Sequence, residues 1–370
     1  MYRVVPALFC ALCLCAQSPE SPQEILKRAV DEQQSGNLDA AIADYRVLIQ
    51  RYPQIPEIRS NLGAALASKG QYSEAVTEYN RALKLRPNPQ VRLNLALAYY
   101  KLGDLSHAVS RLQQVRSEQP SNIQAITLLA DSYLQLGQNK QVIELLDSLQ
   151  RENPDNSTYN YLLGTALIRD GQIAKGQLII DRILRNGDSA EARLLMGTTK
   201  YMASDFAGAL QDFQKAVELN PNLPDVYSYY GLALLSTGDQ AGAKKAFEHE
   251  LELNPNHFEA NLRMGALLRQ DADNDTALKY LQHALQVRPG DFGARYQIAA
   301  IEVSQGELEQ AQRDLEALVK QAPGFTEAHV SLATVYFREK RKADGERERA
   351  IVAKLTAERQ ANEPAAKTVQ

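Results

Sequence analysis

The sequence predicts an all-α protein, a right-handed α-solenoid of about nine to ten helix–turn–helix units with a period of 34 residues. Three marker series in register carry that reading, because self-similarity at a fixed period is the signature of stacked supersecondary units. Proline recurs at Pro53, Pro87, Pro120, Pro154, Pro221, Pro255, Pro289 and Pro323, at spacings of 34, 33, 34, 67, 34, 34 and 34, and Gly187 stands where the one missing proline would fall. Gly36, Gly70, Gly103, Gly137, Gly171, Gly238 and Gly306 hold a second phase, with Ser204 and Ala272 in its two gaps. A small residue marks a third: Ala29, Gly63, Ala96, Ala130, Gly164, Gly197, Gly231, Gly265, Ala299 and Ala333.

Residues 1–18, MYRVVPALFCALCLCAQS, lie outside the repeats. Arg3 precedes an apolar run over 4–16 that is short for a bilayer span. It matches the apolar region of a secretory signal peptide, with cleavage expected after Ala16 or Ser18. A retained anchor or apolar tail is the alternative. A lipid anchor fits badly, since Cys10, Cys13 and Cys15 follow Phe9, Leu12 and Leu14 rather than small residues. Once this segment is removed no cysteine is left, which excludes disulfides and thiolate metal sites.

The repeat array spans 22–361, with units ending near 55, 88, 122, 156, 189, 223, 257, 291 and 325 and a C-terminal helix pair over 326–361. Unit 224–257 shows the logic. Apolar residues recur at helical spacing from Val226 to Leu235, Thr237-Gly238-Asp239 breaks the pattern, and Ala243, Phe247 and Leu251 mark a second helix that Asn254-Pro255-Asn256 ends. One hairpin cannot bury its apolar face, so neighbours must stack. The alanines Ala41, Ala75, Ala108, Ala209, Ala243, Ala277 and Ala311 let the second helix lie close to its partner. The run REKRKADGERER over 338–349 mixes both charge signs and reads as the solvated cap of the array; 362–370 is a polar tail.

These residues resemble the tetratricopeptide repeat (TPR) family, a 34-residue helix–turn–helix. Its pattern of an aromatic, Leu-Gly, Tyr, Ala, an aromatic, Ala and Pro falls on Tyr227, Tyr230-Gly231, Leu234, Ala243, Phe247, Glu250 and Pro255. In 56–88 it falls on Arg59, Leu62-Gly63, Leu66, Ala75, Tyr79, Ala82 and Pro87. Glu250 and Arg59 depart from the pattern. The resemblance implies that the first helix of each unit lines a concave groove. The groove positions then include Leu93, Tyr100, Leu134, Tyr161, Ile168, Leu194, Tyr201, Ser228, Leu235 and Tyr296, an apolar wall with tyrosines. The same positions in a tightly wound solenoid are core. Glu57, Glu191, Asp225, Glu259 and Glu327 would tune partner charge. The family's clamp for acidic chaperone tails is not expected, since of Ser60, Ala64, Asn94, Gln124 and Leu128 only the asparagine matches.

Chemistry is sparse. DADND at 271–275 has carboxylates at calcium-loop spacing, but Thr276 and Gln282 stand where glycine and glutamate belong, so a turn is expected. His107, His249, His257, His283 and His329 form no ligand motif and are read as surface residues. No nucleophile elbow or phosphate loop appears. A net charge of −4 argues against a nucleic-acid binder. The expected function is a non-enzymatic scaffold without cofactor or metal. It would be exported, periplasmic or secreted in a bacterium, and bind a protein or peptide in the groove. No small-molecule substrate and no membrane span after signal cleavage are expected. Alternatives are an assembly part of an envelope or secretion complex, working through its convex face or ends, and a substrate-recruiting partner of a separate enzyme such as a glycosyltransferase.

Overall fold

The computed structural model describes residues 20–185 and 187–362, with the backbone alone at 361 and 362. The signal-like segment and most of the polar tail lie outside the described residues. Among these, twenty helices and no strand are found. They alternate as first and second helices: α1 (Pro22–Gln34), α2 (Leu38–Arg51), α3 (Pro56–Ser68), α4 (Tyr72–Leu85), α5 (Pro89–Lys101), α6 (Leu105–Glu118), α7 (Ile123–Gln135), α8 (Asn139–Glu152), α9 (Ser157–Arg169) and α10 (Ile173–Leu184). The series continues with α11 (Ala190–Met202), α12 (Phe206–Leu219), α13 (Val226–Ser236), α14 (Gln240–Leu253), α15 (Phe258–Gln270), α16 (Asn274–Val287), α17 (Phe292–Gln305), α18 (Leu308–Gln321), α19 (Thr326–Arg338) and α20 (Lys342–Asn362). Where the period suggests one array, contacts divide the chain into two units that part after Ala98. No helix among the described residues is long and apolar enough to cross a membrane.

The turn inside each pair is a left-handed cap. Gly70 has φ +79°, its N–H bonds to Ala67 O at 3.0 Å, and the Gln71 N–H reaches Leu66 O at 2.9 Å, which satisfies the last carbonyls of α3. The glycine phase repeats this at φ between +73° and +94°. Ser204 and Ala272, in the gaps of that phase, take φ +62° as well, although each carries a Cβ.

The small-residue phase faces the aromatic phase of the second helix. A Cβ at Gly63 would sit 2.7 Å from the Tyr79 ring, at Gly197 2.5 Å from Phe213, and at Gly231 2.8 Å from Phe247. Ala75, Ala108, Ala209, Ala243, Ala277 and Ala311 are fully buried on the second helices. The hairpin is therefore held by backbone-close contact, with large rings seated where a side chain is missing.

The family's first aromatic is often absent, and a polar residue with a defined task stands in its place. Arg59 bonds Pro53 O at 3.1 Å, Asn160 bonds Pro154 O at 2.9 Å, Asn261 bonds Pro255 O at 2.9 Å, and His329 Nε2 donates to Pro323 O at 3.0 Å. Each ties the first helix to the carbonyl of the repeat-ending proline. Three residues of this phase also pair with an acid nineteen residues on: Arg59 with Glu78 at 2.8 Å, Arg193 with Asp212 at 3.0 Å, and His329 Nδ1 with Glu348 at 2.5 Å.

Glu302 of α17 is pushed up to about 7, by burial first and then by the like charge of Asp314. Its folded carboxyl holds a proton that the unfolded chain, at its ordinary 4.5, has already lost. Stability therefore falls as pH rises from about 4.5 to about 7, and the burden is fully present above that. Glu302→Gln should be more stable than wild type at pH 8, by about 1 kcal/mol after solvent screening, with the gap closing toward pH 5. Denaturant melts at the two pH values check this; a gap that stays constant with pH would contradict it. Ser204→Gly and Ala272→Gly should each raise stability by about 1 kcal/mol by relieving the left-handed backbone. Urea midpoints measure this, and a lower midpoint would refute it.

Candidate functional site

A buried polar cluster of the second unit is built where the regular pattern fails. Pro224 follows Pro221 closely, and Asp225, at φ +67°, opens the shortened helix α13 without capping it. Glu250 of α14 caps it instead. One carboxylate oxygen accepts the Asp225 N–H at 3.2 Å, and the other accepts those of Tyr227 and Ser228 at 3.1 Å each. An anion at a helix N-terminus satisfies donors that would otherwise be orphaned. The Asp225 carboxylate is thereby free to face inward.

There it meets Arg169, at the end of α9, whose Nη2 lies 2.7 Å from Oδ2. His257 Nδ1 accepts the Ala260 N–H at 3.1 Å, capping α15, so Nε2 carries the proton and donates to Asp225 Oδ1 at 2.8 Å. Arg169 Nε also donates to Tyr229 Oη at 2.8 Å, and Tyr161 Oη donates to Pro224 O at 3.0 Å. Burial would raise Asp225, but Arg169 and His257 outweigh it and hold it well below the usual carboxylate range. Burial would lower His257; Asp225 and Glu250 outweigh that and raise it. Burial drives the Tyr161 hydroxyl far up, with Asp225 adding to it.

The coil of this unit returns on itself beside that cluster. Asn256 Nδ2 donates to Lys101 O at 2.9 Å, and Arg288 Nε donates to Gln135 O at 2.6 Å, contacts between residues 155 and 153 apart in the chain. Gly103 admits Asn256, since a Cβ there would lie 3.0 Å from it. Leu105 packs with Phe258, Val287 and Ala294 in the same seam. Tyr100 donates to Asp131, and Gln135 Nε2 donates to Asp131 Oδ2 at 2.9 Å. A cavity of about 310 Å³ is left, lined among others by Leu134, Asn139, Arg169, Asp225, His257 and Arg288.

Asp225, Glu250 and His257 bring three donor atoms within 4.8 Å of one another. The set does not fit a cation. Glu250 is spent on three N–H groups, both ring nitrogens of His257 are engaged, and Asp225 already neutralises a guanidinium that would repel a metal.

The ten groove positions divide. Leu93, Leu134, Ile168, Leu194 and Ser228 are buried and belong to the core between helices. Tyr100 and Tyr161 are partly buried with their hydroxyls committed to Asp131 and Pro224 O. Tyr201, Leu235 and Tyr296 are buried to the same partial degree, the two tyrosine hydroxyls accepting from Ser236 at 3.2 Å and Ser331 at 3.5 Å. Two readings of polar residues need correction. His257 and His329 are not surface residues but 8% and 4% exposed, because each caps or fastens a helix start. Asp225 does not face a partner; it is turned inward to Arg169. Arg169 and Arg288 gave no sequence signal. Glu250 did: a carboxylate stands in the phase where Ala82, Ala216 and Ala284 are buried.

Tetratricopeptide-repeat descriptions match residues 25–54, 64–103, 99–165, 161–224, 194–258 and 268–332. The chain is a tetratricopeptide-repeat protein. This TPR chain is 31% identical over 98 residues to the protein CTR9 homolog of Arabidopsis thaliana, covering 25% of the chain and 9% of that protein. It is 30% identical over 73 residues to the intraflagellar transport protein 88 homolog of Homo sapiens, covering 18% and 9%. The chain thus spans about 9% of the length of these curated relatives. Among solved structures, the APC/C hetero-tetramer Cut9-Hcn1 aligns with TM-score 0.56 and 12% identity over 91% of this chain and 88% of that one, a likeness of fold. MamA aligns with TM-score 0.39 and 20% identity over 45% of this chain and 96% of that one.

Arg169→Met strands the buried Asp225 charge and should cost about 3 kcal/mol in urea unfolding. Adding Asp225→Asn should recover part of the loss. A double variant no more stable than the single one would show that the pair is not coupled.

Proposed function

We propose that this TPR protein is a non-enzymatic interaction scaffold that holds a peptide or protein segment on the face of its odd-numbered helices. The observation that carries the reading is a strip left uncovered beyond the seam. Tyr296 on α17 meets Phe325 edge-on at 5.3 Å, and Val330 on α19, in the next repeat and at the same phase, is 49% exposed. Ser331 and Thr334 stand beside them as polar neighbours. Tyrosine and valine there offer apolar contact area at low conformational cost. Tyr201 and Leu235 extend the same helical face. Affinity comes from these side chains, and no step of chemistry is assigned to the chain.

A second reading is favoured by Leu178, 67% exposed on the second helix α10: contact through the convex face in a larger assembly. Export is part of the proposal and rests on the apolar run of residues 4–16.

The test is affinity capture from an exported fraction with wild type, with a Tyr201→Ala, Tyr296→Ala, Val330→Ser variant, and with Leu178→Ser. We expect a partner kept by wild type and Leu178→Ser and lost at least tenfold by the triple variant, with far-UV circular dichroism unchanged. A partner lost only by Leu178→Ser would replace the groove reading with the convex one.

A further inference from the structure

The cavity in the seam of the second unit is walled by α7 and α8, by α9, and by the starts of α13 and α15 with the end of α16. Most charges on its wall are spent. Asp225 is taken by Arg169 and His257, and Glu259 is taken by Arg263 at 2.6 Å. Arg288 is the exception. Its Nε bonds the Gln135 carbonyl and its guanidinium lies 3.9 Å over the Phe258 ring, but among the described residues no carboxylate forms an ion pair with it; Glu259, Asp291 and Asp225 act on it only at longer range. The two terminal nitrogens, Nη1 and Nη2, make no hydrogen bond among the described residues. A local partner exists by position. Arg86 and Glu57 occupy the same two places of an earlier repeat and form an ion pair. In 258–291 Glu259 turns to Arg263 instead, and Arg288 turns into the cavity. Asn139, on the same wall, has a buried Oδ1 without a hydrogen-bond partner.

We propose that this cavity binds a small organic oxyanion, a carboxylate or a phosphate monoester, through the open edge of Arg288. Stacking and the Nε bond fix the plane of the guanidinium, so its remaining edge is a pre-set fork of the kind that takes an oxyanion in two parallel bonds. The volume of about 310 Å³ suits a ligand of metabolite size and excludes a folded partner. Burial, and after it the like charge of Arg169, lower the Arg288 pKa and outweigh the opposing pull of Glu259, Asp291 and Asp225, so the charge is held at a cost that a directly bonded anion would offset. Since Gln135 and Arg288 stand on opposite sides of the seam, a bound anion would also hold the coil closed.

The test is calorimetric titration of the full chain with inorganic phosphate and with succinate, each against chloride at equal ionic strength. We expect saturable one-to-one binding of at least one of them, weakened at least tenfold by Arg288→Gln. Arg288→Lys should also bind more weakly, as it keeps the charge and loses the fork. Leu232→Trp, which fills the cavity and leaves every bond of Arg288 in place, should abolish binding and serves if Arg288→Gln loses its helical signal. Wild-type heats no different from chloride for both anions would overturn the proposal. So would binding unchanged in a folded Arg288→Gln or Leu232→Trp. A positive or negative result is independent of any protein partner, so it does not decide the scaffold reading.

Discussion

Everything in this chain depends on how close the two helices of a repeat can come. A residue without a bulky side chain on the first helix faces a ring on the second, as Gly63 faces Tyr79 and Gly231 faces Phe247. The left-handed cap between the helices sets the angle at which they meet. Repeating that angle stacks the hairpins, and the stack brings side chains from distant repeats into one another's reach. In the second unit the accumulated turn is tight enough for residues more than 150 apart to bond.

The buried charges then read as fasteners rather than as chemistry. Arg59, Arg193 and His329 stand where the family prefers an aromatic, and each has its acid on the second helix of the same repeat. Apolar burial is non-directional, so it holds hairpins together without fixing their rotation. A polar side chain bonded to one acid or one carbonyl has a single geometry, and this is how we understand polar residues retained inside a helical stack. Glu250 extends the idea across repeats: by capping α13 it frees Asp225 to bind Arg169, which lies two repeats away.

This arrangement bears on function. The face of the odd-numbered helices is not uniform: around the seam it is occupied by the protein's own polar side chains, whereas Val330 is 49% exposed beside a partly exposed Tyr296. A partner on the odd-numbered helices would meet the open part first, and the cavity beside Arg288 would report on, and bias, how tightly the coil closes. Regulation and recognition would then lie on different parts of one surface.

The sequence alone determined the fold class, the family and the identity of the turn, small-residue and aromatic positions. These are local or periodic properties: a left-handed cap favours glycine whatever surrounds it, and a ring on the second helix needs a gap on the first. Even Ser204 and Ala272 could be placed in the turn from phase alone. What only the tertiary structure decided is which inner residues are open. Leu134, Ile168 and Leu235 hold one repeat phase, yet the first two are buried and the third is partly exposed. Curvature makes that difference, and it is the sum of small rotations at every repeat interface, which no single residue encodes. Asp225 with Arg169, and Arg288 with Gln135, were invisible for the same reason: their partners are neighbours through the coil, not along the chain.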